Sequence, residues 1–239
     1  MLLPTAVTET NQLIDQLPVA ESRSLRAMSE QLELEFGREL AVAGEPVLQA
    51  LFPLTAIVSM TARVDGHTPL EMGMIGHEGM LGATLSLGVD HHPMRAIVQG
   101  AGTALVISAH DFRQQLKHSP VLERVIHRYL FVLNQQLSQT AACNAFHEVS
   151  PRLARWLLMM TDRARGEPLV LTHLFLSDML GVRRSAVTIA AGQMQDKQLI
   201  RYSRGHIQVM SRAGLEAIAC NCYQSDLEIY QRQFSRHEH

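Results

Sequence analysis

Cysteine is scarce in this chain of 239 residues: only Cys143, Cys220 and Cys222. Three thiols give no disulfide framework and suit a reducing compartment. No stretch approaches the roughly 18 consecutive apolar residues of a membrane span. No positive residue precedes Arg23 in the amino-terminal segment MLLPTAVTETNQ, so it fails as a secretory signal and the cytoplasm is the expected location. No phosphate loop and no nucleophile–base pair stands out, which speaks against an enzyme. What remains is an ordinary globular composition, 46% hydrophobic and 18% charged, with ample material for a core.

The net charge of −2 hides an asymmetry. Residues 1–149 carry 9 Lys/Arg and 15 Asp/Glu, a balance of −6; residues 150–239 carry 12 and 8, a balance of +4. An acidic front and a basic back suggest that the back half meets a polyanion.

Patterning divides the chain further. Residues 5–35, with VAESRSLRAMSEQLELEF, read as short helices. From about Leu40 to Ser108, short β-rich runs such as AIVSMTARV, LEMGMI and TALVIS alternate with Gly, Pro, Asp and His clusters. That spacing indicates a sheet sandwich or a small roll, with a hairpin turn at VDGHTP, residues 64–69. Beyond residue 112 apolar residues recur at three- and four-residue steps, and Pro120 fits the first turn of a helix running to about His147. Leu122, Val125, Tyr129 and Val132 define one apolar face; Ile126, Leu130 and Phe131 extend it to a second. A helix apolar on two faces packs against two neighbours, and one of them can be its own copy in a second subunit. The alternative is burial within one chain.

The positive charge concentrates in GVRRSAVTIAAGQMQDKQLIRYSRGHI, residues 181–207. Thr172 suits a helix cap, with Leu176, Met179 and Leu180 facing inward. Gly181 supplies the left-handed residue that ends that helix, and Val182 plugs the turn. A second helix then starts at Arg183 or Arg184 and buries Val187, Ala191 and Met194. Helix, glycine turn, helix is the helix-turn-helix pattern. Its outer face carries Arg184, Ser185 and Thr188 as base-reading candidates, because an arginine fork matches guanine and hydroxyls contact bases or phosphates. Arg183 beside them and Arg201, Ser203, Arg204 and His206 in the following hairpin, the wing, are candidates for the phosphate backbone. Solvation of an exposed helix would explain an isolated arginine pair; the whole ordered unit argues for duplex DNA. Gly192 inside the second helix costs about 1 kcal/mol relative to alanine.

GEPVLQALFPLTAIVSM, IGHEGMLG, LFLSDMLGVRRSAVT and QLIRYSRGHI resemble the cyclic-AMP receptor protein/FNR (Crp/Fnr) family of bacterial transcription regulators over almost the whole chain. The resemblance implies an α+β fold. A β-roll of the cyclic-nucleotide-binding type would span residues 1–118, a dimerisation helix 119–148, and a winged helix-turn-helix 149–239. It also implies a homodimer on a two-fold-symmetric operator and contact with RNA polymerase. Arg184 matches the family's base-reading arginine. Ser185 stands where glutamate is common, and Ile189 where a second arginine can occur, so the usual operator is not expected.

The sensor departs further. Family cassettes hold the ribose with Gly-Glu and the cyclic phosphate with Arg-Ser/Thr. Here His77 separates Gly76 from Glu78, and Ala96 follows Arg95. Glu78 and Arg95 are thus the candidate effector contacts, but cyclic AMP is not the expected ligand; another effector, or none, is. No cofactor or metal is expected. The roll has no cysteine for an iron–sulfur cluster, and His67, His77, Glu78, His91 and His92 lack the spacing of a cupin-type metal site. Cys220 and Cys222 fall on one expected helix, where i and i+2 diverge, so that pair alone makes no chelate. A cupin-like metalloenzyme with an accessory winged helix is the alternative from another class, and a protein-binding winged helix is a third reading.

Overall fold

The computed structural model describes residues 9–164, 169–203 and 205–235. Helices α1 (Gln12–Asp15) and α2 (Val19–Ala27) precede strands β1 (Glu30–Leu34), β2 (Glu39–Ala41), β3 (Gln49–Pro53), β4 (Ile57–Ala62) and β5 (Leu70–Ile75). After a 3-10 turn at Ala83–Leu87 come β6 (Arg95–Gly100) and β7 (Gly102–Ser108). These strands form two antiparallel sheets, ordered β1–β7–β3 and β2–β6–β4–β5. Their facing sides bury Leu34, Val58, Met60, Ile75, Val98 and Val106, the core of a roll. The 64–69 segment is the connection between β4 and β5, with Gly66 at φ 77°.

One amino-terminal expectation fails. Glu30–Leu34, read with its neighbours as helical, is a strand paired residue for residue with β7. Its sequence, EQLEL, alternates polar and apolar from Gln31 on, and a seat on a sheet edge decides for period two over helix propensity.

Helix α3 (Ala109–His118) is followed by α4 (Pro120–Phe146), about 40 Å long. The Ser119 hydroxyl accepts the Leu122 N–H at 2.9 Å, and Pro120 takes the first turn, where no N–H is needed. Both apolar faces of α4 are used within the chain. Leu122, Val125, Ile126, Tyr129 and Val132 join α1, α3 and β3, while Leu133 and Leu137 lean on the roll core. Phe131 and Phe146 remain exposed.

The carboxy-terminal unit comprises α5 (Val149–Ala164), β8 (Leu169–Val170), α6 (His173–Leu180), α7 (Arg184–Asp196), β9 (Ile200–Ser203), β10 (His206–Val209), α8 (Arg212–Ile218) and α9 (Cys222–Phe234). The last two were expected as one helix; the chain breaks at Ala219, whose backbone is extended at φ −66°, ψ 152°. Strands β8, β10 and β9 form a small antiparallel sheet, and α9 packs along α4.

This unit does not stand apart from the roll. Ile57 and Met74 of the roll share its core with Leu153, Leu157, Leu176 and Val187. Buried Glu71 of β5 accepts the Ser59 hydroxyl at 2.6 Å and the Trp156 indole N–H of α5 at 2.8 Å. Arg163 of α5 pairs with Glu78 at 2.7 Å. Among the described residues, no helix is long and apolar enough to cross a membrane.

Candidate nucleic-acid interface

The reading head is assembled by local rules. The Thr172 hydroxyl accepts the Phe175 N–H at 3.1 Å and starts α6; Leu176, Met179 and Leu180 are buried beneath it. Gly181 ends the helix at φ 62°, ψ 37°, a conformation that suits glycine. A Cβ there would also lie 2.7 Å from Leu70 Cδ1, so the turn is pressed against the roll. Val182 N–H then returns to the Ser177 carbonyl at 3.0 Å. Arg183, extended at φ −68°, ψ 142°, caps α7, which buries Val187, Ala190, Ala191 and Met194.

Arg183, Arg184 and Ser185 are exposed at the amino end of α7. Two guanidinium groups there add to the positive pole of the helix, where unpaired backbone N–H groups already favour an anion. Thr188 lies one turn on, also exposed, but its hydroxyl is engaged inside the protein. It donates to the Arg184 carbonyl at 3.0 Å and lies 3.0 Å from His173 Nδ1, which is placed to donate to it. The hydroxyl therefore braces the helix, while the side chain stays on its exposed face.

His173 was not singled out by sequence reasoning, yet it joins the parts. Its ring stacks on Tyr202 of β9, with centroids 4.4 Å apart and planes 16° apart. One imidazole thus ties α6, α7 and the wing together. Burial first, and the positive charge of Arg184 second, hold its pKa below the usual histidine value, which favours the neutral ring. The only sequence signal was a histidine directly after a helix cap, which singles out nothing by itself.

In the wing, β9 and β10 pair with Ser203 opposite His206, and Gly205 takes φ 82°. Arg201, Ser203 and His206 are exposed beside the head; Arg204 lies outside the described residues.

The candidate effector residues are not brought together. Arg95 pairs with Glu39 at 2.5 Å, whereas Glu78 is held by Arg163 and by its own Gly76 N–H. Glu78 lines a cavity of about 320 Å³ with His77, Arg163 and Arg212, whereas Arg95 lines neither that cavity nor the small one of about 40 Å³ bounded by Met60, Ile75, Met80, Leu81, His92 and Leu130. The expected single helix through Cys220 and Cys222 is corrected. The break between α8 and α9 removes the helical spacing, and both thiols meet Cys143 and His147. Among the described residues this is the one group of side chains placed to hold a metal ion; the roll histidines form no such group.

Comparison with known proteins agrees with this architecture. The family described as "Crp-like helix-turn-helix domain" matches residues 151–218. No curated protein matches the sequence. Among solved structures, FixK2 from Bradyrhizobium japonicum is similar with a TM-score of 0.68 at 13% identity, over 80% of this chain and 98% of that one. A Crp/Fnr-family regulator from Eubacterium rectale gives 0.66 at 15% identity, over 86% and 96%. The c-di-GMP-responsive regulator CLP from Xanthomonas campestris gives 0.65 at 17% identity, over 81% and 100%. Residues 151–218 thus match the Crp-like helix-turn-helix domain, on a chain whose fold is similar to that of solved Crp/Fnr regulators.

Proposed function

We propose that the chain is a sequence-specific, duplex-DNA-binding transcription regulator that performs no chemistry of its own. The observation that carries this reading is the free, exposed Arg183-Arg184-Ser185 cluster at the amino end of α7, with the wing stacked beside it through His173 and Tyr202. That end of the second helix enters the major groove in this motif, and Arg184 is the side chain with the reach and fork for guanine. Arg183 and Arg201 hold the phosphate backbone and position the head.

The regulator acts as a homodimer, so that two heads meet successive major grooves about 34 Å apart. The surface proposed for pairing is the exposed stripe of α4 through Phe131, Ser138, Ala141 and Ala142, beside the faces occupied by the roll and α9. RNA polymerase is the expected protein partner at the promoter, and the cytoplasm the compartment. The roll does not answer to cyclic AMP. Arg95 is paired with Glu39 and Glu78 with Arg163, so the two side chains do not converge on one ligand. The roll answers to another effector or to none.

The test is selection of bound sequences from a random duplex library with purified, ligand-free protein at physiological salt. A two-fold-symmetric motif is expected. A folded protein that enriches nothing, with or without cell extract, would remove the DNA-reading function.

A further inference from the structure

All three cysteines of the chain converge at one buried point, although 77 residues separate Cys143 from Cys220. Cys143 lies in the last turn of α4 and His147 follows at i+4, which puts both on one face of the helix end. Cys220 and Cys222 flank Asn221 in the break between α8 and α9. The Cys143 and Cys220 sulfurs are 3.5 Å apart, Cys222 Sγ is 3.4 Å from His147 Nδ1, and all four atoms lie within 4.8 Å of one another.

We propose that Cys143, His147, Cys220 and Cys222 form a closed tetrahedral site for a single Zn²⁺ ion, which fastens the end of the long helix to the winged head. A tetrahedron with Zn–S near 2.3 Å and Zn–N near 2.0–2.1 Å has edges of about 3.5–3.8 Å. The Cys143–Cys220 and Cys222–His147 spacings, 3.5 and 3.4 Å, are already near that edge, and no pair of the four atoms is more than 4.8 Å apart. Iron–sulfur clusters need ligands spread around several metal and sulfide atoms, and a fourth ligand that is usually a thiolate. Three thiolates and one imidazole around one closed position suit a structural zinc, with no place left for substrate.

The surroundings answer the charge. Three thiolates and a dication sum to −1, and the buried guanidinium groups of Arg152 and Arg155 lie within electrostatic reach of Cys143 and Cys220. Gln139 Nε2 is 2.9 Å from Cys222 Sγ, an N–H···S contact of the kind that orients a metal ligand. Arg152 also donates to the Leu180 carbonyl at the end of α6, so the site is one side chain away from the reading head. A purely apolar explanation is poor, because this buried cluster contains cysteine alone.

The experiment uses the full chain, purified without a metal-affinity tag, and measures bound metal by elemental analysis. One zinc per chain is expected. Removal by a chelator should release it and lower the melting temperature, and added Co²⁺ should then give the visible bands of tetrahedral, thiolate-bound cobalt. His147→Ala, at the half-buried helix end, should fold and retain below about a tenth of the zinc, since binding depends on the full ligand set. His147→Cys should restore binding with a stronger sulfur-to-cobalt band. Cys222→Ser should behave as His147→Ala does; if it does not fold, the cobalt titration of the natural chain and the His147 variants decide alone. Three results would overturn the site: a folded, metal-free protein with three freely titrating thiols and no cobalt spectrum, a Cys143–Cys220 disulfide in protein taken from reducing cells, or stoichiometric iron with sulfide.

Discussion

At the scale of single residues, Arg184 and Arg201 carry the same charge but different expected consequences. Arg184→Ala should cost about 1–3 kcal/mol on the preferred duplex and relax base preference. Arg201→Ala should weaken all duplexes alike and reduce the salt slope of binding by about one. Titrating both variants against preferred and scrambled duplexes by fluorescence anisotropy separates the two roles. His173→Ala removes the stack on Tyr202 and the brace on Thr188, so it should loosen binding by about 1 kcal/mol with base preference unchanged. Gly192 is an opposite case. It lies inside α7 with nothing within 4 Å of where a Cβ would sit. Gly192→Ala should therefore stabilise the head by about 0.5–1 kcal/mol in thermal denaturation.

At the scale of elements, α5 is the strut of the molecule, and buried ion pairs fix it on two sides. Arg155 meets Asp226 of α9 at 2.6 Å with both side chains under 10% exposed. Burial pushes the Asp226 carboxyl above its ordinary value even against that guanidinium, so the pair sits in a dry place. Asp226→Ala leaves Arg155 buried without its carboxylate and should cost about 3–5 kcal/mol in urea melts. Local signals at this scale were legible in the sequence: the Thr172 cap, the Gly181 turn and the inward Leu176, Met179 and Val187 are where the pattern puts them. Helix termination without glycine or proline was not. Helix α8 ends at Ala219, which packs against the core holding Leu199 and Tyr223 beside the cysteine cluster, a tertiary setting that no three-residue window contains. The same missed break concealed the meeting of Cys220 and Cys222 with Cys143. Strand β1 was misread for the matching reason: a five-residue amphipathic stretch takes its period from its neighbour, here β7.

At the scale of the whole molecule, the head and the roll share one core, and Glu71 lies in the seam. Burial raises its carboxyl from the usual 4.5 to about 7, against the lowering effect of the Ser59 and Trp156 hydrogen bonds. The folded protein therefore keeps this proton where the unfolded chain has lost it. Stability falls as pH rises from about 4.5 to 7 and levels off above, a loss on the order of 3 kcal/mol from this group. Glu71→Gln should flatten that slope and be the more stable protein at pH 8, as denaturant titrations across pH would show. Such a seam was invisible in the sequence. Short β-rich runs marked β4 and β5 as strands, but not that Ile57 and Met74 would turn outward to meet α5 and α6. One of the two candidate effector residues lies at the same seam. Glu78 pairs there with Arg163 of α5, a buried guanidinium that needs a carboxylate.

The central claim is that α7 reads base sequence through Arg184. The measurement closest to it is parallel selection from one random duplex library with the natural protein and with Arg184→Ala, both shown to be folded. Expected are a two-fold-symmetric motif for the natural protein, and a variant that still binds duplex but loses preference at one position of each half-site. The same motif, equally sharp, from both proteins would contradict it.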